Sequence, residues 1–137
     1  CRPSRAEAPV APAGLLLAAL AGAAGAVARI LLGHWLSAPA ASPAFPRGTF
    51  LVNLAGCLAA GLLAGLVERH PGWLSPELRL ALFAGVLGGF TTFSAFGLET
   101  VQLLRRGDWL LAAGYAGGSV LLGLAAVWLG LRVAGPA

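Results

Sequence analysis

The sequence predicts an all-α membrane protein with four transmembrane helices. Of its 137 residues, 58% are hydrophobic and only 10% are charged, whereas a typical soluble domain has about 25% charged residues. The mean hydropathy is +0.85. Because one bilayer-spanning helix needs about 20 apolar residues, a chain of this length has room for four such helices and for no separate catalytic domain. Its 20 glycines support the same class, since small residues let helices pack closely in a membrane.

Four apolar runs give the predicted transmembrane helices in order. Each run has few or no charged residues and is followed by a polar segment. The runs span residues 10–35, 49–67, 80–98 and 109–131. We assign residues 10–133 to a single transmembrane domain, residues 1–9 to a disordered lead and residues 134–137 to a C-terminal tail. Because the sequence has no methionine, we expect its first residue to result from processing or truncation.

The segments between the runs have the composition of loops. Residues 37–48 contain three prolines, and proline blocks helix propagation. Residues 68–79 and 99–108 contain charged residues and a turn-forming glycine. A cleaved signal peptide is the alternative for the first run, but that run exceeds the about 7–15 apolar residues of a signal-peptide core. Three further runs follow it, so we expect the first run to stay in the membrane.

Glycines spaced four apart mark predicted packing faces. Gly61 and Gly65 lie in the second run, and Gly114 and Gly118 lie in the fourth. This spacing lets the backbones of two membrane helices approach closely. It indicates packing and, by itself, no function.

The arginines are almost evenly divided between the two sides of the predicted bundle. Four spans put both termini on one side, and orientation follows the excess of basic residues in the cytoplasmic loops. The terminal side has Arg2, Arg5, Arg69, Arg79 and Arg132, and the other has Arg47, Arg105, Arg106 and, near the end of the first run, Arg29. So small an asymmetry predicts insertion in both orientations and an antiparallel homodimer. A single orientation set by cellular factors is the alternative. Charges spread over membrane loops do not form a nucleic-acid-binding patch.

The third run contains residues that suit a membrane helix poorly. Two glycines and three hydroxyl residues interrupt it, and we predict a helix break at Gly88–Thr92. An unwound turn frees backbone carbonyls, which are tolerated at membrane depth only when protein or an ion satisfies them. Broken transporter helices coordinate small cations in this way. The alternative is a continuous helix with a close-packing glycine pair, whose Thr and Ser side chains bond back to their own helix carbonyls.

Aromatic and polar side chains follow the predicted break. Phe93 and Phe96 are spaced to share one helix face. The edge of an aromatic ring carries positive partial charge, so two edges beside a narrow path can attract a small anion. Asn53, Tyr115 and Ser119 add amide and hydroxyl donors that can replace the water around such an ion. The alternative is that the rings face lipid or core and that the polar groups only bond between helices.

Three segments resemble the signatures of the Fluc/CrcB family of fluoride channels. The segment 85–96, GVLGGFTTFSAF, followed by Glu99, resembles the third-helix signature of that family and is the specific part of the match. The segment 48–56, GTFLVNLAG, resembles the second-helix motif, and 25–29, GAVAR, resembles the end of the first helix. The similarity covers about residues 14–131. It implies an antiparallel, dual-topology homodimer with two fluoride pores along the subunit interface and one structural sodium ion at its centre.

The resemblance also implies roles for individual residues. The backbone carbonyls of Gly88 and Thr91 from both subunits would hold the sodium ion. Fluoride would pass the ring edges of Phe93 and Phe96, and the rest of its pathway would comprise Asn53, Tyr115, Ser119 and Thr49. Arg29 would lie near the vestibule, and Glu99 follows the third-helix signature. One departure is Gly123, because the family often has a hydroxyl residue at that position.

The expected function is passive efflux of fluoride from the cytoplasm across a bacterial inner (plasma) membrane. Its partners would be fluoride, the lipid bilayer and an inverted copy of the chain, with no nucleic acid. A proton-coupled exporter of the small multidrug type is one alternative; it needs a membrane-buried carboxylate, and Glu99 is the only candidate. A non-transporting membrane assembly protein is the other alternative. We expect no enzymatic activity, because no Ser/His or Asp pair falls within the spans.

Overall fold

The computed structural model describes residues 11–37 and 45–136, and in these residues all regular secondary structure is helical. The elements in chain order are α1 (Pro12–Leu36), α2 (Arg47–Arg69), α3 (Pro76–Leu80), a π-helical segment (Ala81–Leu87), α4 (Gly88–Phe90), α5 (Phe93–Arg105) and α6 (Trp109–Ala134). When the elements from α3 to α5 are taken as one span, the described residues contain four helices long and apolar enough to cross a membrane. The predicted all-α, four-span class is confirmed. The predicted N-terminal lead lies outside the described residues.

The helices extend beyond the apolar runs from which they were predicted. α2 begins at Arg47, inside the segment predicted as a loop, and α6 continues to Ala134. The third span begins at Pro76, where the Ser75 hydroxyl accepts a hydrogen bond from the Leu78 amide at 3.2 Å. Arginine can end a membrane helix without breaking it, because its long stem stays in the apolar layer while its charged group reaches water.

Helices α2 and α6 pack against each other through glycines. A Cβ atom at Gly61 would collide with the backbone of Val127, and one at Gly130 would lie 2.6 Å from the Leu62 nitrogen. The packing face predicted at Gly61 and Gly65 is therefore confirmed. On the fourth helix, a Cβ at Gly118 would lie 3.8 Å from the Phe50 ring, and no heavy atom of the described residues would lie within 4 Å of a Cβ at Gly114, so this predicted face makes no close backbone contact within the chain.

Helix α1 packs against the first half of the third span in the same way. A Cβ atom at Gly25 would collide with the Val86 carbonyl, and one at Gly89 would collide with the Gly22 carbonyl. Gly88, in contrast, is exposed, and the nearest atom to an added Cβ would be the Phe83 oxygen at 3.8 Å. One member of the glycine pair thus has a packing role, as the continuous-helix alternative expected.

The backbone leaves helical geometry at Thr91 and Thr92. Thr91 has φ −86° and ψ 158°, and Thr92 has φ −147° and ψ 120°. Gly88 to Phe90 keep helical geometry, so the prediction placed the first non-helical residue three positions too early. The reason is the contact of Gly89 with α1, which uses the small size of glycine and not its conformational freedom. The Thr91 hydroxyl also donates back to the Leu87 carbonyl at 2.9 Å, as it would in a regular helix.

Side chains from two other helices satisfy the backbone around Thr92. Asn53 on α2 accepts a hydrogen bond from the Thr92 amide at 2.8 Å, and its Nδ2 donates to the Thr92 carbonyl at 3.0 Å. Arg29 on α1 donates from Nε to the Gly89 carbonyl at 3.1 Å. The Thr92 hydroxyl caps α5 by accepting from the Ala95 amide at 3.3 Å. Polar side chains thus replace the missing helical hydrogen bonds.

Replacing Asn53 with leucine should destabilise the fold. The Asn53→Leu variant keeps the side-chain size but removes both hydrogen bonds to Thr92. An unpaired buried backbone group costs about 1–3 kcal/mol, so we expect a clear decrease in the melting temperature of the purified protein in detergent.

Ser119→Ala is the matched control, because the Ser119 hydroxyl is buried and has no hydrogen-bond partner among the described residues. Its melting temperature should stay close to that of the wild type. Equal melting temperatures for the two variants would mean that the Asn53 hydrogen bonds do not support the fold.

Candidate functional site

A groove of about 270 Å³ lies beside Thr91 and Thr92. It is bordered by α2, α5, α6 and the extended residues between α4 and α5. Its lining comprises Asn53, Cys57, Thr91, Thr92, Phe93, Phe96, Ser119 and Val120. Five of these are residues that the sequence predicted for an ion site or pathway, and the fold brings them to one place. The groove is therefore the candidate functional site.

The two phenylalanines lie together at one side of the groove. The ring centroids of Phe93 and Phe96 are 5.4 Å apart with an interplanar angle of 43°. Phe93 is 82% exposed in the single chain, whereas Phe96 is half-buried and its ring lies 5.2 Å from that of Tyr115. One ring is thus fixed by the fold of the chain, and the other projects from its surface.

Glu99 joins three helices through its carboxylate. One oxygen accepts a hydrogen bond from the Thr49 hydroxyl of α2 at 2.7 Å, and the other accepts from the Tyr115 hydroxyl of α6 at 2.6 Å. An ionised carboxylate is an acceptor on both oxygens, and hydrogen bonds to it are short and strong. Tyr115 has 0% exposure, so the pair it forms with Glu99 is fixed inside the bundle. The sequence named these three residues but did not predict their contact.

An aromatic cluster holds Tyr115 in place. Its ring centroid lies 5.5 Å from that of Phe45, 6.4 Å from that of Phe50 and 5.2 Å from that of Phe96. The Phe45 pair is nearly perpendicular, at 84°, which is a favourable edge-to-face arrangement. This packing fixes the ring and the oxygen of Tyr115 beside Glu99, so that only the hydroxyl hydrogen can change direction. It also connects the groove, through Phe96, to the hydrogen bonds of Glu99.

Ser119 lies in the groove one helical turn beyond Tyr115. Its hydroxyl has no hydrogen-bond partner among residues 11–37 and 45–136, although the atom is buried. A Cβ atom at Gly123, one further turn along α6, would lie 3.4 Å from the Cys57 sulfur. The thiol of Cys57 therefore lies next to the position at which the predicted row of hydroxyls is interrupted. No sequence pattern predicts this contact, because a cysteine in an apolar run has no distinguishing neighbours.

Two backbone carbonyls of the third span, those of Gly88 and Thr91, lose the amides that would pair with them in a continuous helix. The Thr92 amide, four residues after Gly88, donates to Asn53 instead, and the Ala95 amide, four residues after Thr91, donates to the Thr92 hydroxyl. Carbonyl oxygens of this kind suit a hard cation such as sodium. The carbonyls of Gly88 and Thr91 therefore fit the donor set expected for that ion.

Arg29 lies near the same non-helical residues, and its guanidinium already makes a hydrogen bond within the chain. Its guanidinium donates to the Gly89 carbonyl at the end of α4, where a positive charge is favourable because the C-terminal end of a helix is negative. This contact gives Arg29 a role in fixing α1 to the third span. Its position near a vestibule stays a prediction.

A family model and several known proteins that match this chain all point to the same protein family. The family model described as CrcB-like protein, Camphor Resistance (CrcB), matches residues 16–131. A protein of Symbiobacterium thermophilum named fluoride-specific ion channel FluC 1 is 53% identical over 118 residues, which is 86% of this chain and 94% of that protein.

Two further relatives carry the name fluoride-specific ion channel FluC. The protein of Hyphomonas neptunium is 52% identical over 122 residues, covering 88% of this chain and 94% of its own length. The protein of Nitratidesulfovibrio vulgaris is 50% identical over 117 residues, covering 85% and 93%. The resemblance seen in the third-helix signature is confirmed, and this multi-pass membrane chain belongs to the CrcB-like protein family.

Proposed function

We propose that this protein is a fluoride-selective channel, and not an enzyme, through which fluoride leaves the cytoplasm passively across a bacterial inner membrane. The observation that carries the proposal is the groove, which is lined by two phenylalanine rings and by a hydroxyl that has no hydrogen-bond partner in the described part of the chain. The names of relatives that are about half identical over most of the chain support the same function. The interior-negative membrane potential drives an anion outward, so a selective leak needs no ATP.

The groove offers fluoride several groups that can replace its hydration water. The edges of Phe93 and Phe96 present positive partial charge, and the Ser119 hydroxyl can donate because no described residue uses it. Asn53 has two hydrogens on Nδ2, of which the Thr92 carbonyl takes one. Close, fixed donors of this kind favour a small anion over a larger one.

The pathway continues from Phe96 to the hydroxyls around Glu99. A fluoride ion that reaches Tyr115 can accept the hydrogen bond that Glu99 accepts in the structure, because a hydroxyl hydrogen can rotate between two acceptors. Thr49 offers a second hydroxyl at the same carboxylate. Within residues 11–37 and 45–136, no specific contact favours the alternatives of a proton-coupled exporter or an assembly protein.

A single chain does not enclose this pathway, and we infer an inverted homodimer. Phe93 is 82% exposed and the groove opens at the surface of the chain. An antiparallel copy, which the even division of arginines permits, would cover both features. Because each copy contributes one groove, the dimer would have two pores. Four carbonyl oxygens, those of Gly88 and Thr91 from each copy, would hold one structural sodium ion between them.

The first test is fluoride efflux from liposomes. Vesicles loaded with potassium fluoride and containing the protein should release fluoride when valinomycin lets potassium leave, as measured with a fluoride electrode. Phe96→Ile should lower the initial rate by about tenfold or more, which corresponds to about 1.4 kcal/mol in the barrier, because it removes a ring edge from the pathway.

Phe83→Ile is the matched control, since Phe83 lies on the π-helical segment outside the groove. Its rate should equal that of the wild type. Absence of valinomycin-dependent efflux from wild-type vesicles would overturn the channel proposal, and an unchanged rate for Phe96→Ile would place that ring outside the pathway.

Dual topology predicts that both orientations are present in the cell membrane. A cysteine-free variant, made by replacing Cys1 and Cys57 with serine and adding one cysteine after Ala137, should be labelled by a membrane-impermeant maleimide only in part. The rest should react only after permeabilisation. Complete labelling, or none, before permeabilisation would show a single orientation.

The sodium proposal predicts a cation-specific gain in stability. A ligand that binds only the folded state stabilises it by about 2.7 kcal/mol when its concentration is 100 times its dissociation constant. The melting temperature of the purified dimer should therefore be higher in sodium gluconate than in choline gluconate of equal ionic strength. Equal melting temperatures in the two salts would argue against a bound sodium ion.

A further inference from the structure

A second cavity lies at the C-terminal end of α5. It has a volume of about 200 Å³ and is lined by Pro46, Glu99, Gln102, Leu103 and Arg106. Glu99, Gln102 and Arg106 are spaced three and four residues apart, so they follow one face of the helix and its cap. Gln102 and Arg106 are exposed, so the cavity opens away from the bundle. We call it the α5 port.

The α5 port continues the line of residues that begins in the groove. Phe96 lines the groove, and its ring lies 5.2 Å from that of Tyr115. The Tyr115 hydroxyl donates to Glu99 at 2.6 Å, and Glu99 lines the port. A chain of contacts therefore links the groove to the port, and the exposed Gln102 and Arg106 lie at its outer end.

The carboxylate of Glu99 makes this region unfavourable for an anion. Its hydrogen bonds come from the hydroxyls of Thr49 and Tyr115, and a hydroxyl is neutral, so these bonds do not cancel its charge. Like charges repel strongly where water is partly excluded. An anion pathway past Glu99 therefore needs a positive charge nearby, and Arg106 provides one in the same cavity.

We propose that Arg106 makes the α5 port a collecting site for small inorganic anions, fluoride above all, by offsetting the charge of Glu99 and raising the local anion concentration. The proposal rests on the proposed channel function. It assigns no such role to the neighbouring Arg105, which does not line the port. If both arginines acted only by stabilising the negative C-terminal end of α5, replacing either one would have the same effect.

The test compares single neutral substitutions at two ionic strengths. The Arg106→Gln and Arg105→Gln variants are assayed for valinomycin-dependent fluoride efflux from liposomes, with sodium gluconate on both sides setting the ionic strength. The screening length falls from about 30 Å at 0.01 M to about 3 Å at 1 M. Arg106→Gln should therefore lower the initial rate about 3- to 10-fold at 0.01 M and less than about 2-fold at 1 M. Arg105→Gln should change the rate less than about 2-fold at both.

Further measurements separate charge from structure. Arg106→Lys, which keeps the positive charge, should restore most of the rate, and all three variants should have the melting temperature of the wild type. Equal efflux rates for Arg106→Gln and Arg105→Gln would overturn the proposed role of Arg106. An efflux rate of Arg106→Gln that stays equally low at 1 M would also overturn it. Absence of fluoride efflux from vesicles that contain the wild-type protein would overturn the proposed channel function and, with it, the proposed role of the port.

Discussion

The rest of the structure depends on one constraint, which is that a backbone polar group inside a membrane must have a hydrogen-bond partner. Thr91 and Thr92 leave helical geometry in the third span, so their surroundings must supply partners. Asn53 pairs with both backbone groups of Thr92, and Arg29 pairs with the Gly89 carbonyl. These side chains come from α2 and α1, so the extended residues fix the positions of two further helices. The groove and its lining follow from that arrangement.

Glycine makes these hydrogen bonds geometrically possible. Short side chains such as Asn53 reach a neighbouring backbone only when two helices lie unusually close. Gly25 and Gly89 allow α1 to contact the third span, and Gly56 allows α2 to contact Thr91, where an added Cβ would collide with the Thr91 side chain. Glycine has a low helix propensity in water, but in the membrane the close van der Waals contact compensates. The polar contacts of the site therefore depend on packing at residues that have no side chain.

Sequence reasoning predicted the four spans, the Gly61 face and five of the residues that line the groove. These features have local signals, namely apolar length, glycine spacing and a polar group within an apolar run. It did not predict the π-helical segment at Ala81–Leu87 or the helical geometry of Gly88. Nor did it predict that Thr49 and Tyr115 share Glu99. Such contacts depend on how each helix is rotated about its axis, and rotation is set by packing between residues that are distant in sequence.

On one side of the site the polar groups are paired within the chain, whereas on the other side the residues are exposed. Around Glu99 the hydroxyls of Thr49 and Tyr115 are paired within the chain, and Tyr115 is fully buried. At the other side, Phe93 is 82% exposed, and the nearest described atom to a Cβ added at Gly88 would lie 3.8 Å away. A pathway built in this way can keep its polar end rigid before any partner binds, while its aromatic end takes its final form only against a second surface. The proposed inverted copy would provide that surface, because it would bring the same two exposed features to the same interface and leave neither unmatched.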